Sequence, residues 1–491
     1  MSLTNALIIA TQSLGTISSQ INVVSRNISN AGTEGSTKKT SIVTTGYNGG
    51  SELKGLKRET NFSVFRTLLS ANSNHAKCSR ITNALDQIDL SLNLSDPTNS
   101  RAPAVLIAKL LNTLHTYSIK PDDQTGAELV LQSARDVLTS LRDSSGLISE
   151  LRRNSDDNIA RNVELSNQFL DKIHLINQDI ISSTGTNIDT TDLMDQRDTL
   201  LKQLSEIIGI KTTTRPNQEI VIYADNGATL LEKTPRYVSF KKTGDLSAGA
   251  TGSAVYIDGV QATGAAAPAQ IMSGMIAGDI KVRDDLTLTY QAQLDEIGRS
   301  LITAFAEYDQ SGTGNPPLPG LFTTQTGGAI PNAQLISGLV DQIIINPLAD
   351  PSQGGNVTLL RDGGISGNSQ YIYNQNGLAG YADRIFELAD SLSISQTYDP
   401  KTGLDSNGSI INFSEASVGW IGAQKQSSFR EKTYANSIFT QSLVMLSSTT
   451  GVNIDEQMTH MLALENAFQA SAKVLQTINS VYDALFAAID R

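Results

Sequence analysis

GVNIDEQMTHMLALENAFQASAKVLQTINSVYDALFAAIDR, residues 451–491, is the stretch whose spacing decides the fold. Within it Met461, Leu464, Phe468, Ser471, Leu475, Ile478, Tyr482, Leu485 and Ile489 follow one another at alternating steps of three and four, which is a heptad seam interrupted only by Ser471. Asn453 with Glu456 three residues on reads as a capping pair, and Asp455 and Glu456 place negative charge at the positive end of the helix dipole, so the helix is expected to start at Ile454. Carried to Ile489 at about 1.5 Å per residue, it would be roughly 54 Å long. A stripe that long and narrow needs a partner of similar length rather than one compact domain.

The partner stands at the other end of the chain. Leu3, Leu7, Ala10, Leu14, Ile17, Ile21, Val24 and Ile28 alternate steps of four and three without a miss. No charged side chain precedes Arg26, and the outer face carries Ser, Thr, Asn and Gln. An ordinary solvated helix face is charged, so this one suits polar contact with other protein on several sides. Gly15 and the many β-branched and hydroxyl residues are indifferent helix formers, which makes the isolated segment marginal. An apolar stripe on one terminal helix is ordinary bundle packing. Two matched seams at opposite ends of a long chain point instead to paired N- and C-terminal coiled-coil helices that serve assembly.

The 491 residues carry a formal net charge of -12, which argues against nucleic acid or an anionic membrane surface as main partner. Cys78 is the only cysteine, so no intrachain disulfide and no cysteine-based zinc site is expected; it reads as a small buried hydrophobe. No apolar run approaches the length of a membrane span, and the start lacks the basic region and cleavage site of a conventional secretory signal.

Between the ends the pattern changes twice. After Asn27-Ile-Ser-Asn30 the Asn and Gly residues break the helix, and residues 36–60 read as an extended connector. Helical period resumes from Phe62 to Leu92, then in short helices at Val105–Tyr117 and Gly126–Leu141, a long one from Leu147 to beyond Ile180, and another from Leu193 to Gly209. From Ile210 to Thr263 the period becomes two, with turns at Asn226-Gly227 and Asp258-Gly259, a small β-rich insert. Helix returns from Asp279 to Tyr308. Residues 311–377 are rich in Gly, Pro and Asn without a clear period, the signature of an exposed or functional loop region. Residues 378–392 give one more helix, and 415–449 are helical but poorly phased. The expected fold is mainly α with a β-rich insert, an elongated multi-domain axial protein. Its parts are a terminal coiled-coil domain (1–32 and 452–491) that orders on assembly, and a central helical bundle built from both halves of the chain (33–209, 264–310 and 378–451). The β-rich insert is 210–263 and the outer region 311–377.

Several motifs carry a family resemblance. Asn27-Ile-Ser-Asn30 at the end of the first seam, Leu193-Met-Asp-Gln-Arg-Asp198 opening a helix, Arg283-Asp284 ahead of the helix to Tyr308, Gly451-Val-Asn-Ile-Asp-Glu456, and Ala470-Ser-Ala-Lys-Val474 together resemble the flagellar hook-associated protein 1 family. Axial flagellar proteins share the terminal motifs; all of them in this order over the whole chain are specific. The resemblance implies a structural subunit of the bacterial flagellum, set in a ring of identical subunits at the junction between hook and filament. Its implied neighbours are hook protein and hook-associated protein 3. It also implies secretion through the flagellar type III apparatus with a cytoplasmic export chaperone on the C-terminal region. The family's loop after the first motif usually continues with Pro, Gly, Tyr and a basic residue, where this chain has Glu34, Gly35, Ser36 and Lys38.

No chemistry-bearing motif competes with this reading. His75, His115, His174 and His460 are scattered, with no metal-ligand spacing, and there is no nucleophile elbow or phosphate loop. Asp195, Arg197 and Asp198 form the densest charge cluster at a helix start, read as a structural ion pair rather than an acid-base pair. No enzyme, cofactor or metal is expected. The residues expected to carry assembly are Leu7, Leu14, Ile17, Ile21, Val24 and Ile28 at one end, and Met461, Leu464, Phe468, Leu475, Ile478, Tyr482, Leu485 and Ile489 at the other. The alternatives are another axial flagellar protein (hook, rod or flagellin-like) and, from a different class, a secreted adhesin or binding module using 210–263 and 311–377.

Overall fold

The computed structural model describes residues 3–94, 96, 98–183 and 188–489. Its spine is one helix of 60 residues, α4 (Gln124–Ser183), about 90 Å long. The chain begins with α1 (Leu3–Asn30), an antiparallel hairpin of β1 (Lys39–Thr45) and β2 (Ser51–Arg58), α2 (Phe62–Leu92), α3 (Pro103–Ile119), the spine α4 and α5 (Thr191–Ile207). The spine replaces the two helices expected on either side of Leu141–Leu147. Ser144-Ser145-Gly146 looks like a break in sequence, but both serines are buried, and the Ser144 hydroxyl donates to the Ser140 carbonyl at 2.8 Å. A mid-helix glycine costs only about 1 kcal/mol, which the apolar burial on both sides offsets.

Each half of α4 serves a different apolar core. Leu131, Val137, Leu141, Ile148 and Leu151 pack with α2, α3 and the later helices; Ile159, Val163, Leu170 and Ile173 pack with α5 and the β-rich insert. That insert is two three-stranded antiparallel sheets. One is β3 (Ile210–Thr214), β4 (Ile220–Ala224) and β5 (Thr229–Leu231); the other is β6 (Val238–Phe240), β7 (Val255–Ile257) and β8 (Val260–Gln261). The turns fall where Asn226-Gly227 and Asp258-Gly259 predict them, with Gly227, Asp258 and Gly259 in the left-handed region.

Next come α6 (Met275–Lys281), a π-helical turn at Val282–Leu286, and α7 (Thr287–Ala304). The extra residue in that turn directs Arg283 inward. Its guanidinium donates to Asp156 and Asp284, each at 2.6 Å, and to the Ser253 carbonyl at 2.8 Å, fastening the insert to the spine.

Residues 311–377 are not an outer region. They form β9 (Phe322–Thr324), β10 (Ile343–Ile345), α8 (Leu359–Asp362) and short 3-10 turns laid across the bundle, with Leu321, Phe322, Val340, Ile343, Val357 and Leu360 in its core. Buried carboxylates take the place of a regular ladder. Glu307 accepts from the Ile365 and Ser366 amides at 2.9 and 2.8 Å, and Asp295 from Gly338 and Val340 at 2.8 and 3.1 Å. Such a segment has no period to read. The chain then forms α9 (Asp383–Ser391), shorter than the 378–392 expected, a two-strand pair at 396–397 and 407–408, α10 (Ile410–Thr450) and α11 (Ile454–Ile489). The poorly phased stretch is thus a 41-residue helix lying antiparallel to α2, since Lys425 meets Asp89 at 2.6 Å and His75 stacks on Phe439. Its buried positions Ser414, Ile421, Ser428, Ala435 and Ser442 fall on strict heptads, but four of the five are small.

Candidate assembly interface

Asn453 caps α11 as expected, its side-chain oxygen accepting from the Asp455 and Glu456 amides at 3.0 and 3.3 Å. Glu456 does not complete a reciprocal box; it reaches outward to Lys38 at 2.7 Å. From there α11 runs back antiparallel along α1. The Tyr482 and Thr4 hydroxyls lie 3.2 Å apart at the far end, and Ser25 donates to the Met461 sulfur nearer the root. The hairpin covers another side of α1, where the Thr16 hydroxyl donates to the Ser51 carbonyl at 2.8 Å and Gly50 lies against Gln12.

A single chain covers this seam only in part. Val24, Leu464 and Ile478 are buried; Leu7, Leu14, Ile17, Ile21, Ile28, Met461, Leu475 and Tyr482 are half-buried. Phe468 and Leu485 are exposed, Leu485 to 53 %. Ile489 ends α11, and its side chain lies outside the described residues. Further apolar residues that sequence reasoning missed, Met458, Leu462, Val474, Val481 and Phe486, are exposed on both flanks of the seam. They were visible as apolar residues off the heptad, overshadowed by the stronger seam.

The root of the pair is polar and closed. Asn27 is buried and uses its whole amide, donating to the Lys39 carbonyl and to Gln457, both at 2.8 Å, and accepting from the Lys39 amide at 3.0 Å. Beside it the segment that leads into α5 and the first two turns of that helix present carboxylates at every third position. Asp189 and Asp192 take Arg26 at 3.0 and 2.7 Å; Asp192 and Asp195 take Lys39; Asp195 and Asp198 take Arg58 at 3.1 and 2.7 Å. Burial holds the Asp198 carboxyl above its ordinary range, against the pull of Arg58 and Arg197. Asp195 and Asp198 are structural ion-pair residues, but their partner is Arg58. Arg197 turns inward, donating to the Asn177 side chain at 2.9 Å and the Gln218 carbonyl at 2.7 Å, and burial lowers its guanidinium to about 10. Between this root and α10 lies a groove of about 610 Å³ lined by residues 31–37, Phe62, Phe65, Lys202, Leu443 and Leu446.

The histidines do not converge. His75 stacks on Phe439, His174 meets Gln178, and His460 sits on the flank of α11. Among the described residues no group of His, Cys, Asp and Glu could hold a metal ion, and no helix is long and apolar enough to cross a membrane. Cys78 is a free, buried thiol, and burial pushes its pKa up.

The model of the flagellar hook-associated protein FlgK helical domain matches residues 85–320, and that of the flagellar basal body rod FlgEFG protein C-terminal region matches residues 446–487. The chain is 21% identical to flagellar hook-associated protein 1 of Escherichia coli over 97% of its own length and 98% of that protein's. It is 20% identical to the Bacillus subtilis protein of the same name, over 82% of this chain and 78% of that one. Among solved structures, the flagellar hook junction protein FlgK from Burkholderia pseudomallei aligns over 53% of this chain and 46% of its own, at 20% identity and a TM-score of 0.42.

Proposed function

We infer the function of this chain from its family: it belongs to the flagellar hook-associated protein 1 family and is a structural subunit of the bacterial flagellum at the junction between hook and filament. The finer reading is that copies of the chain polymerise through α1 and α11. The observation that carries it is the half-covered seam, with large apolar side chains such as Phe468, Val474, Leu485 and Phe486 left in water along one helix. Covering each such side chain contributes roughly 1.5–3 kcal/mol, whereas ordering a residue costs about 1–2 kcal/mol of backbone entropy. A lone two-helix pair is therefore marginal, and neighbours that cover it supply what it lacks.

The proposed partners follow from that position: further copies in a ring, hook protein on one side, hook-associated protein 3 on the other, and a cytoplasmic chaperone on the exposed C-terminal helix before type III export. The test is Leu475→Asp or Leu485→Asp. Either should leave the melting of the bundle unchanged and abolish incorporation into flagella, seen by immunolabelling; normal incorporation overturns the reading. The rod-protein likeness at 446–487 favours one second reading, an axial subunit at another level of the same structure. Labelled protein found along the hook or filament, rather than only at their junction, would select it.

A further inference from the structure

The terminal helices are joined to the bundle in an unusual way. Neither apolar core contains any described residue of α1, the β1-β2 hairpin or α11. What crosses to the bundle at α5 is charge. Three cations from the terminal module, Arg26, Lys39 and Arg58, alternate with four carboxylates, Asp189 just ahead of α5 and Asp192, Asp195 and Asp198 in its first two turns, so that each cation bridges two successive carboxylates. The Thr37 hydroxyl and amide add bonds to Asp195 at 2.7 and 3.2 Å. Within α5 a step of three residues separates Asp192, Asp195 and Asp198, which puts these three along one side of the helix near the positive end of its dipole, where negative charge is favoured.

We propose that this ion ladder is the joint that positions the assembly module, fixing the direction in which α1 and the hairpin leave the bundle. The proposal goes beyond the reading of polymerisation, because it concerns the isolated chain. Charge suits the task. Apolar packing between two smooth faces tolerates sliding, whereas a cation held between two carboxylates gives up one of its two ion pairs when it moves sideways by half a rung. The inner rungs are also protected from salt, since the Lys39 and Arg58 side chains are 3% and 5% exposed, while the outermost cation, Arg26, is 38% exposed. The joint therefore has a firm inner end and a wet outer end.

The residues named are positioning residues, and the test reads position. Spin labels at Lys54→Cys on the hairpin and Leu175→Cys on the spine, in a Cys78→Ser background, report their separation in the full-length chain by electron-electron resonance. One narrow distance distribution is expected. Asp192→Asn with Asp195→Asn, near-isosteric changes that remove the middle charges, should at least double its width while bundle melting stays as before; Lys39→Arg, which keeps the charge, should leave it narrow. A distribution that stays narrow in the double variant, with the bundle intact, overturns the proposal. Should the double variant fail to fold, Arg26→Gln at the wet end decides in the same terms, broadening supporting the joint and an unchanged width refuting it. A failure of Leu475→Asp to block incorporation would sink the polymerisation reading without touching this measurement.

Discussion

Asn27 and Gln457, 430 positions apart in the chain, share a 2.8 Å hydrogen bond in the interior of the terminal module. The contact brings the two ends of the polypeptide together at the root of the helix pair, and the same Asn27 amide holds both backbone groups of Lys39. Asn27→Ala therefore orphans three buried polar groups at once. Each orphan costs about 1–3 kcal/mol. The expected outcome is cleavage in residues 31–60 at protease levels that leave the parent intact, with the main melting transition of the bundle unmoved.

Asp279 gives the bundle a pH dependence. It is buried, its Oδ2 has no hydrogen-bond partner, and the nearest cation, Arg80, stands 3.8 Å away. Burial pushes the carboxyl up to about 7, against Arg80, Asn158, Arg161 and Arg283, which all favour the charged form. A carboxyl raised in the fold contributes stability that is complete below its ordinary value near 3.8 and is lost as pH rises through about 7. Stability should fall by up to about 1.4 kcal/mol per pH unit across that window. Asp279→Asn should flatten the slope, so that the variant gains on the parent between pH 5 and pH 8 in thermal melts. Parallel curves would refute the assignment.

The small seam between α2 and α10 is tight. Ser428 faces Thr82 with their hydroxyls 2.7 Å apart, both side chains buried. Ser428→Leu must force a branched side chain between two helix backbones and should cost about 1–3 kcal/mol. Ser428→Ala should cost less. Urea unfolding of the two variants measures the difference, and equal midpoints would show that the helices can part without strain.

The Arg152 guanidinium pins the 243–253 loop, donating to the carbonyls of Leu246 and Ser247 at 3.0 Å each and also to Ala250. Arg152→Met leaves those carbonyls without their donor and should destabilise the bundle by about 3–5 kcal/mol. Chemical denaturation checks it; a loss under 1 kcal/mol, about the worth of one ordinary hydrogen bond, would mean water replaces the arginine.

What could be read from the sequence was whatever repeats locally. α1 and α11 announce themselves because large apolar residues alternate at three and four, and the cap at Asn453 marks the start of α11. α10 was hard to phase for the opposite reason: its heptad positions hold Ser and Ala, which scarcely register as apolar, although their smallness is what lets α2 approach. Ser144-Ser145-Gly146 imitates a break that burial on both sides of α4 overrides. The 311–377 segment could not be placed, because its order comes from Asp295 and Glu307 capturing distant backbone amides. The candidate assembly interface and its root were half legible. Asp189, Asp192, Asp195 and Asp198 stand in plain view at every third position, but Arg26 and Arg58 are 166 and 137 residues from the carboxylates they meet, and no local pattern links them.

Amide hydrogen exchange on the isolated full-length chain, compared with the same protein in purified hook-filament junctions, tests most directly that the terminal helices are completed by neighbours. The account predicts that residues 3–20 and 465–485 exchange fast in the isolated chain while α2, α4 and α10 are protected, and that both ends slow sharply in the junction. Ends as protected as α4 in the isolated chain, with no change on assembly, would contradict it.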